Sequence, residues 1–188
     1  MDNSIYLPTE HGDFKAFYHK VDNQECLVII NDDFEGIPFL RIHSSCVFSE
    51  SFHASDCDCA IQLDAALKYI GEQGGIVIYM YQEGRGIGIE QKIMSLKLEQ
   101  EKGMDTATAF KSLGHDSDPR HYNAAVSVLK YLGVDEVKLG TNNKKKISIL
   151  ERSGISISER IKLEIFPNER TQAYIAKKVV VLDHYEND

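Results

Sequence analysis

Three of the four cysteines, Cys46, Cys57 and Cys59, fall within fourteen positions as C-x10-C-x-C. Structural zinc sites use four protein ligands, whereas a catalytic zinc takes three and keeps a fourth position for water. A zinc of that kind generates hydroxide at neutral pH. The alternative is that these are small, buried, inert thiols, but the charged Asp58 between two of them does not suit a dry core. The spacing favours an open metal site over a zinc finger.

The segment RIHSSC (41–46) ends a predicted strand at the first cysteine. Alternation places Arg41 and His43 on one face, with Ser44 and Ser45 beside the metal candidate. Taken alone, these are an exposed arginine and a hydrogen-bonded histidine at a strand end. Next to a metal they form a candidate rim for polyphosphate, because a guanidinium offers a fork of donors to phosphate oxygens.

Three further polar segments carry candidate ligand groups. In QEGRGIG (82–88), Gly84 allows a close backbone approach, Glu83 could accept hydrogen bonds from a purine and Arg85 could hold phosphate. Ordinary turn chemistry is the open alternative for this loop. Asp118 in DSDPR (116–120) is either a helix N-cap or a general base paired with Arg120.

The last polar segment, GTNNKKK (140–146), joins a predicted strand to a predicted helix. Thr141 and Lys146 could reach phosphates from this turn. Together the four segments lie at predicted carboxyl ends of strands, where open α/β sheets bind ligands.

Hydrophobic periodicity predicts the elements that position these residues. Residues 1–45 are β-rich, and from Cys59 onward helices alternate with strands. We predict helices from Cys59 to Gly74, over about 88–102, over 119–134 with Pro119 in the first turn, and over 144–154. The pattern predicts an α/β fold, in which helices flank a mixed, largely parallel sheet entered through a β-rich N-terminal portion. We expect a single domain over residues 1–188.

Composition limits the class of partner. A formal net charge of −8 argues against nucleic-acid binding, which needs a broad basic surface. We expect no membrane partner, because no run of about 18 apolar residues is present. The N-terminal sequence lacks the apolar region of a secretory signal, and clustered cysteines without a secretory context favour reduced thiols in the cytoplasm.

The motifs in this order resemble those of GTP cyclohydrolase II, the zinc enzyme that opens the imidazole ring of GTP at the start of riboflavin synthesis. The resemblance covers most of the chain, to about Tyr174. It is carried by LPTEHGDF, RIHSSC, CDCAIQLDAAL, QEGRGIG, GMDT, DPRHY, KYLGV and TNNKKK.

This resemblance implies one Zn²⁺ per chain on Cys46, Cys57 and Cys59, Mg²⁺ with the triphosphate or pyrophosphate, and a homodimer. Asp118 would be the proton acceptor. Arg120 would attack the α-phosphorus of GTP, giving a guanylyl-enzyme and pyrophosphate. Water activated by zinc would then add to C8, and a second hydrolysis would release formate. The GTP or related purine nucleotide would be bound by Arg41, His43, Ser44, Ser45, Gln62, Glu83, Gly84, Arg85, Thr106, Thr141 and Lys146.

The chain departs from the family pattern at several positions. The usual K-[LI]-R-A-Y is KIMSL here, so Met94 replaces an arginine and Leu96 replaces the catalytic tyrosine. Ser45 replaces a glutamate, Tyr81 replaces an arginine, and TATAF (106–110) replaces T-V-E-A-N. Leucine transfers no proton. We therefore predict that ring opening persists while formate release is impaired, leaving a formamidopyrimidine nucleotide.

Two alternatives stay open. Because Ser45, Tyr81 and the 106–110 segment are expected to line the ligand site, the chain could act on another nucleotide or nucleobase, in pyrimidine breakdown or a specialised pathway. It could also be an inactive, zinc-stabilised nucleotide-binding module. A purely structural zinc would need a fourth ligand, and Cys26, His43 and His53 are the nearest candidates in sequence.

Overall fold

The computed structural model of the chain describes residues 3–172 and Ile175. The single domain predicted over 1–188, and the resemblance as far as Tyr174, extend to positions outside these residues. Within them the strands are β1 (Ile5–Thr9), β2 (Gly12–Val21), β3 (Gln24–Asn31), β4 (Phe39–Ser44), β5 (Gly75–Met80), β6 (Glu136–Leu139) and β7 (Ser156–Arg160). The helices are α1 (Val47–Glu50), α2 (Cys59–Gln73), α3 (Ile89–Lys102), α4 (Thr106–Ser112), α5 (Asn123–Leu132) and α6 (Lys144–Arg152).

The strands of this part of the chain form one mixed sheet in the order β1-β2-β3-β5-β4-β6-β7. The N-terminal strands pair antiparallel up to β5, and β5, β4, β6 and β7 pair parallel. The predicted α/β fold with a mixed sheet and a β-rich N-terminal portion is confirmed. Since parallel strands end at the same edge, β4, β5 and β6 deliver their following loops to one place.

Helices cover both faces of the central strands. On one face Ile42 and Ile78 pack with Leu129 of α5 and Leu150 of α6. The opposite face packs against α2, in a cluster of Phe14, Ile29, Phe39, Ala66, Ile70 and Val77. A strand that is buried on both faces has a nearly continuous apolar sequence, as β5 (GIVIYM) does. The strand ends beside the polar loops are therefore rigidly held.

The start predicted for the helix that corresponds to α5 is wrong, and with it the placement of Pro119 in the first turn. The helix predicted over 119–134 begins at Asn123, with Tyr122 in the N-cap position, so Pro119 lies in the preceding loop. Asp118 is consequently not the cap of this helix. Its carboxylate instead accepts hydrogen bonds from the Arg120 side chain, which holds the 118–120 loop outside the helix.

Two short α-helices between Cys46 and Ser112 were not predicted. The 106–110 segment opens α4, because the Asp105 carboxylate caps that helix by accepting hydrogen bonds from the backbone of Ala107 and Thr108. The other is α1, directly after Cys46. No helix in the described part of the chain is long and apolar enough to cross a bilayer.

Candidate active site

The three clustered cysteines meet in space. Cys46 lies between β4 and α1, Cys57 lies in the loop after α1, and Cys59 is the first residue of α2. Their sulfur atoms all lie within 4.8 Å of one another, and those of Cys46 and Cys57 are 3.8 Å apart. Zn–S bonds of about 2.3 Å in tetrahedral geometry place two sulfurs about 3.8 Å apart. The cluster therefore has the size that one zinc ion requires.

The charge state of the cluster also suits a metal. Hydrogen bonds from the Cys46 and Cys59 thiols lower the pKa of Cys57 to about 2, although burial opposes this shift. The thiolate is the form that binds metals. Burial raises the pKa of Cys26 to about 11, and that thiol packs in the core instead.

Within residues 3–172 and Ile175, no fourth Cys, His, Asp or Glu joins the group. His43 Nε2 hydrogen-bonds to Glu50 at 2.9 Å instead. Asp58 is buried, contrary to the expectation from its charge, and the Gln62 amide donates to its carboxylate at 2.5 Å. Three protein ligands leave a coordination position for water or substrate, as in catalytic sites.

A cavity of about 1220 Å³ opens beside the cysteines at the carboxyl ends of the central strands. Its wall combines residues of the β4–α1, β5–α3 and β6–α6 connections with α2, α3 and α4. The predicted site residues that line it are Arg41, His43, Ser44, Ser45, Cys46, Cys57, Cys59, Gln62, Gly84, Arg85, Thr106, Arg120, Thr141 and Lys146. Segments far apart in sequence are thus brought together at one edge of the sheet.

Basic side chains concentrate on this wall in a chain of net charge −8. Arg41 donates to the Gly140 carbonyl at 2.7 Å, Arg85 to the Ser117 carbonyl at 2.9 Å, and Lys146 to the Ile42 carbonyl at 2.7 Å. Backbone carbonyls orient a cation without cancelling its charge. The cavity is therefore suited to an anionic ligand.

Asp118 and Arg120 form a bidentate pair. The Arg120 Nε and a terminal guanidinium nitrogen donate to the two Asp118 oxygens at 2.7 and 2.8 Å. Burial alone would raise the pKa of Asp118, but Arg120 and Lys145 outweigh it and lower the pKa to about 2. Arg120 lines the cavity, and Asp118 is not among the lining residues. The Asp118 carboxylate thus orients the Arg120 guanidinium from the side that faces away from the cavity.

Glu83 is held by the protein itself. Its carboxylate accepts hydrogen bonds from the Val47 backbone at 2.8 Å and the Lys92 ammonium at 2.5 Å, and it is not among the cavity-lining residues. Burial lowers the pKa of Lys92, but Glu83 and Cys46 outweigh this effect and the net shift is upward. The suggested contact of Glu83 with a purine stays a prediction.

Two residues at this site escaped the sequence analysis. Glu50 accepts hydrogen bonds from His43, from the Cys46 backbone at 3.0 Å and from the Tyr79 hydroxyl at 2.5 Å. Lys92 donates to the sulfur of Cys46 at 3.2 Å. Glu50 could not be found from the sequence, because a glutamate four residues after a cysteine is not a recognised motif. The signal for Lys92 was its place on the α3 face that also carries Leu96.

The positions that depart from the family pattern divide into two groups. Ser45, Leu96 and Phe110 line the cavity. Tyr81 is 54% exposed and Met94 45% exposed, and neither belongs to the cavity wall. The expectation that Tyr81 lines the ligand site is therefore wrong, because this residue, directly after β5, has its side chain at the surface.

The comparisons with known proteins agree with this arrangement. The family model described as GTP cyclohydrolase II matches residues 2–162. The chain is 42% identical over 182 residues to riboflavin biosynthesis protein RibBA of Staphylococcus saprophyticus and 40% identical over 182 residues to RibBA of Staphylococcus epidermidis. It is 41% identical over 186 residues to RibBA of Bacillus velezensis. Each alignment covers 96% of this chain and 46% of the relative, so the chain spans about half the length of these curated relatives.

Proposed function

The chain belongs to the GTP cyclohydrolase II family, and we propose that it opens the imidazole ring of GTP at C8 with release of pyrophosphate, as a zinc-dependent step of riboflavin synthesis. The observation that carries this proposal is the three-sulfur cluster at the spacing of one zinc, set in the wall of a basic cavity. A cytoplasmic location and a homodimer remain expectations from the sequence.

Binding of the triphosphate relies on the basic wall. Arg41 of β4, Arg85 of the β5–α3 connection and Lys146 of α6 line the wall from three different elements, so they would surround a bound chain of phosphates. Mg²⁺ is proposed to accompany the triphosphate and the pyrophosphate that leaves, since it prefers phosphate oxygens and retained waters as ligands. Because guanidinium and ammonium groups recognise phosphate, a phosphorylated purine is preferred over a free base.

Pyrophosphate release is proposed to use the Asp118–Arg120 pair. An Arg120 nitrogen forms a bond to the α-phosphorus while the bond from that phosphorus to the bridging oxygen of the β-phosphate breaks. The guanidinium proton passes to the Asp118 carboxylate, which already accepts two hydrogen bonds from this side chain. The nucleotide is then attached to Arg120, which fixes its base in the cavity. A second water later cleaves the nitrogen–phosphorus bond, and Asp118 returns its proton to the arginine.

Ring opening is proposed to take place at the cysteine cluster. Cys46, Cys57 and Cys59 would hold zinc, which supplies a hydroxide nucleophile at neutral pH when bound. Phe48, Leu96 and Phe110 line the same cavity and exclude bulk water from the base. Leu96 has no proton to give or take, so the formyl group is expected to remain on the opened ring.

Removing the metal should separate the two reactions. Protein stripped of zinc with a chelator, then assayed with Mg²⁺ added back, is expected to lose ring opening and to keep pyrophosphate release, because the Asp118–Arg120 pair includes no thiol. One equivalent of zinc should restore ring opening, measured as loss of the guanine absorbance. Cys57→Ser should behave like stripped protein. Cys26→Ala, which alters a core thiol, should retain zinc. Undiminished ring opening in protein verified to be metal-free would contradict the proposal.

A second candidate is suggested by Ser45 and Phe110, which depart from the family pattern and line the cavity. A divergent relative acting on another nucleotide or nucleobase is the alternative that they favour. Thermal unfolding with GTP, GMP, guanosine and uracil distinguishes the two, because a ligand of the native state raises its stability. We expect GTP to give the largest shift. A larger shift with uracil or guanosine would favour the alternative.

A further inference from the structure

We propose that Lys92 is a positioning residue for the metal site: it holds the Cys46 sulfur in place and offsets negative charge that the thiolates bring. This inference rests on the proposed function in one respect only, namely that the three cysteines hold zinc.

Lys92 contacts Cys46 directly and is also linked, through Glu83, to the residue that follows Cys46. The Lys92 ammonium is 3.2 Å from Cys46 Sγ and 2.5 Å from a Glu83 carboxylate oxygen. The other Glu83 oxygen accepts the backbone N–H of Val47, the next residue after Cys46, at 2.8 Å. The first metal ligand is therefore fixed at its sulfur and at the following peptide by one ion pair.

The backbone is arranged so that Lys92 can reach this position. Gly84 has φ +60, and a Cβ at Gly84 would lie 2.9 Å from the Lys92 Cβ. The glycine thus allows the 82–88 loop to lie directly against α3. The Lys92 ammonium also lies 4.6 Å from the centre of the Phe48 ring, and its side chain is 16% exposed. Lys92 is therefore confined rather than free to rotate in solvent.

Charge explains why a cation belongs here. Zn²⁺ with three thiolates carries a net negative charge, and Glu83 adds another in the same partly buried region. A neutral side chain at position 92 would leave these like charges adjacent without compensation, which is costly at low dielectric. Hydrogen bonds to ligand atoms also orient the ligands. Loss of such an outer contact typically weakens metal affinity by about 10- to 100-fold.

The test compares zinc affinities of intact protein variants by competition with a coloured chelator. Lys92→Met should bind zinc at least about 10-fold more weakly than the wild type. Lys97→Met is the matched control, because Lys97 lies on the same helix, is 69% exposed and pairs only loosely, at 3.8 Å, with Glu101. It should equal the wild type. Lys92→Arg, which keeps a charged donor, should recover part of the loss.

A spectroscopic readout separates positioning from a general loss of structure. In Co²⁺-loaded protein, the thiolate-to-metal charge-transfer band should move to longer wavelength in Lys92→Met, because an N–H donor stabilises the sulfur lone pairs. If that variant does not fold, Lys92→Gln replaces it, with the same loss of affinity expected because the charge is absent.

The outcomes are distinguishable. A wild type that binds no zinc would overturn the proposed function. A wild type that binds zinc, together with a folded Lys92→Met of unchanged affinity and unchanged cobalt band, would overturn only the role of Lys92.

Discussion

Replacing Asp118 with asparagine is expected to slow pyrophosphate release from GTP by about 10²- to 10⁴-fold, the range for loss of a positioned proton acceptor. Asparagine preserves the shape of the side chain but removes the charge that orients Arg120 at 2.7 and 2.8 Å. The amide also cannot take the guanidinium proton as the bond to phosphorus forms. Binding of GTP should change little, because Arg41, Arg85 and Lys146 remain on the cavity wall.

The matched control is Asp116→Asn, which makes the same chemical change two residues earlier at an exposed position. It should release pyrophosphate at the wild-type rate. The measurement is a coupled phosphate assay after pyrophosphatase treatment, under single-turnover conditions. Equal rates for Asp118→Asn and the wild type would show that the bidentate pair only stabilises the loop.

Replacing Leu96 with tyrosine is expected to switch on formate release, raising it by at least about 10²-fold through restored proton transfer. Leu96 lines the cavity one helical turn after Lys92, so a phenol at this position points toward the ligand. The cavity volume of about 1220 Å³ leaves room for the larger ring. Formate should then approach one equivalent per pyrophosphate, measured with formate dehydrogenase.

Ile93→Tyr is the control for adding a phenol to α3, because Ile93 is 52% exposed and is not among the cavity-lining residues. It should release no more formate than the wild type. If Leu96→Tyr still releases pyrophosphate but no formate, the block lies at another position, for which Ser45 and Phe110 on the same wall are the next candidates.

The sequence was sufficient to predict features that depend on local motifs at strand ends. The RIHSSC segment ends β4, whereas QEGR follows β5 and GTNNKKK follows β6. Because parallel strands end at one edge, the convergence of these segments on a single cavity followed from the α/β pattern. The spacing of Cys46, Cys57 and Cys59 indicated a metal cluster in the same way. Periodicity also predicted α2, α3 and α6 at nearly their observed bounds.

Features that depend on side-chain contacts across the fold were not predictable. Lys92 meets Cys46 from 46 positions away, and Glu83 meets Val47 from 36 positions away. Neither pair has a sequence signature. The start of α5 was misplaced because Pro119 is compatible with both a first helical turn and a loop, and only the Asp118–Arg120 pair decides between them.

A mass spectrum of the nucleotide formed from GTP by the zinc-loaded protein with Mg²⁺ shows whether the imidazole ring is opened and whether C8 is kept. We expect one product with the mass of GMP plus one water, formed with one pyrophosphate and without formate. Such a product has an opened ring that keeps its C8 carbon. GMP itself, or GTP recovered unchanged, would contradict ring opening. A product that has lost C8, with an equivalent of formate, would contradict the arrest attributed to Leu96.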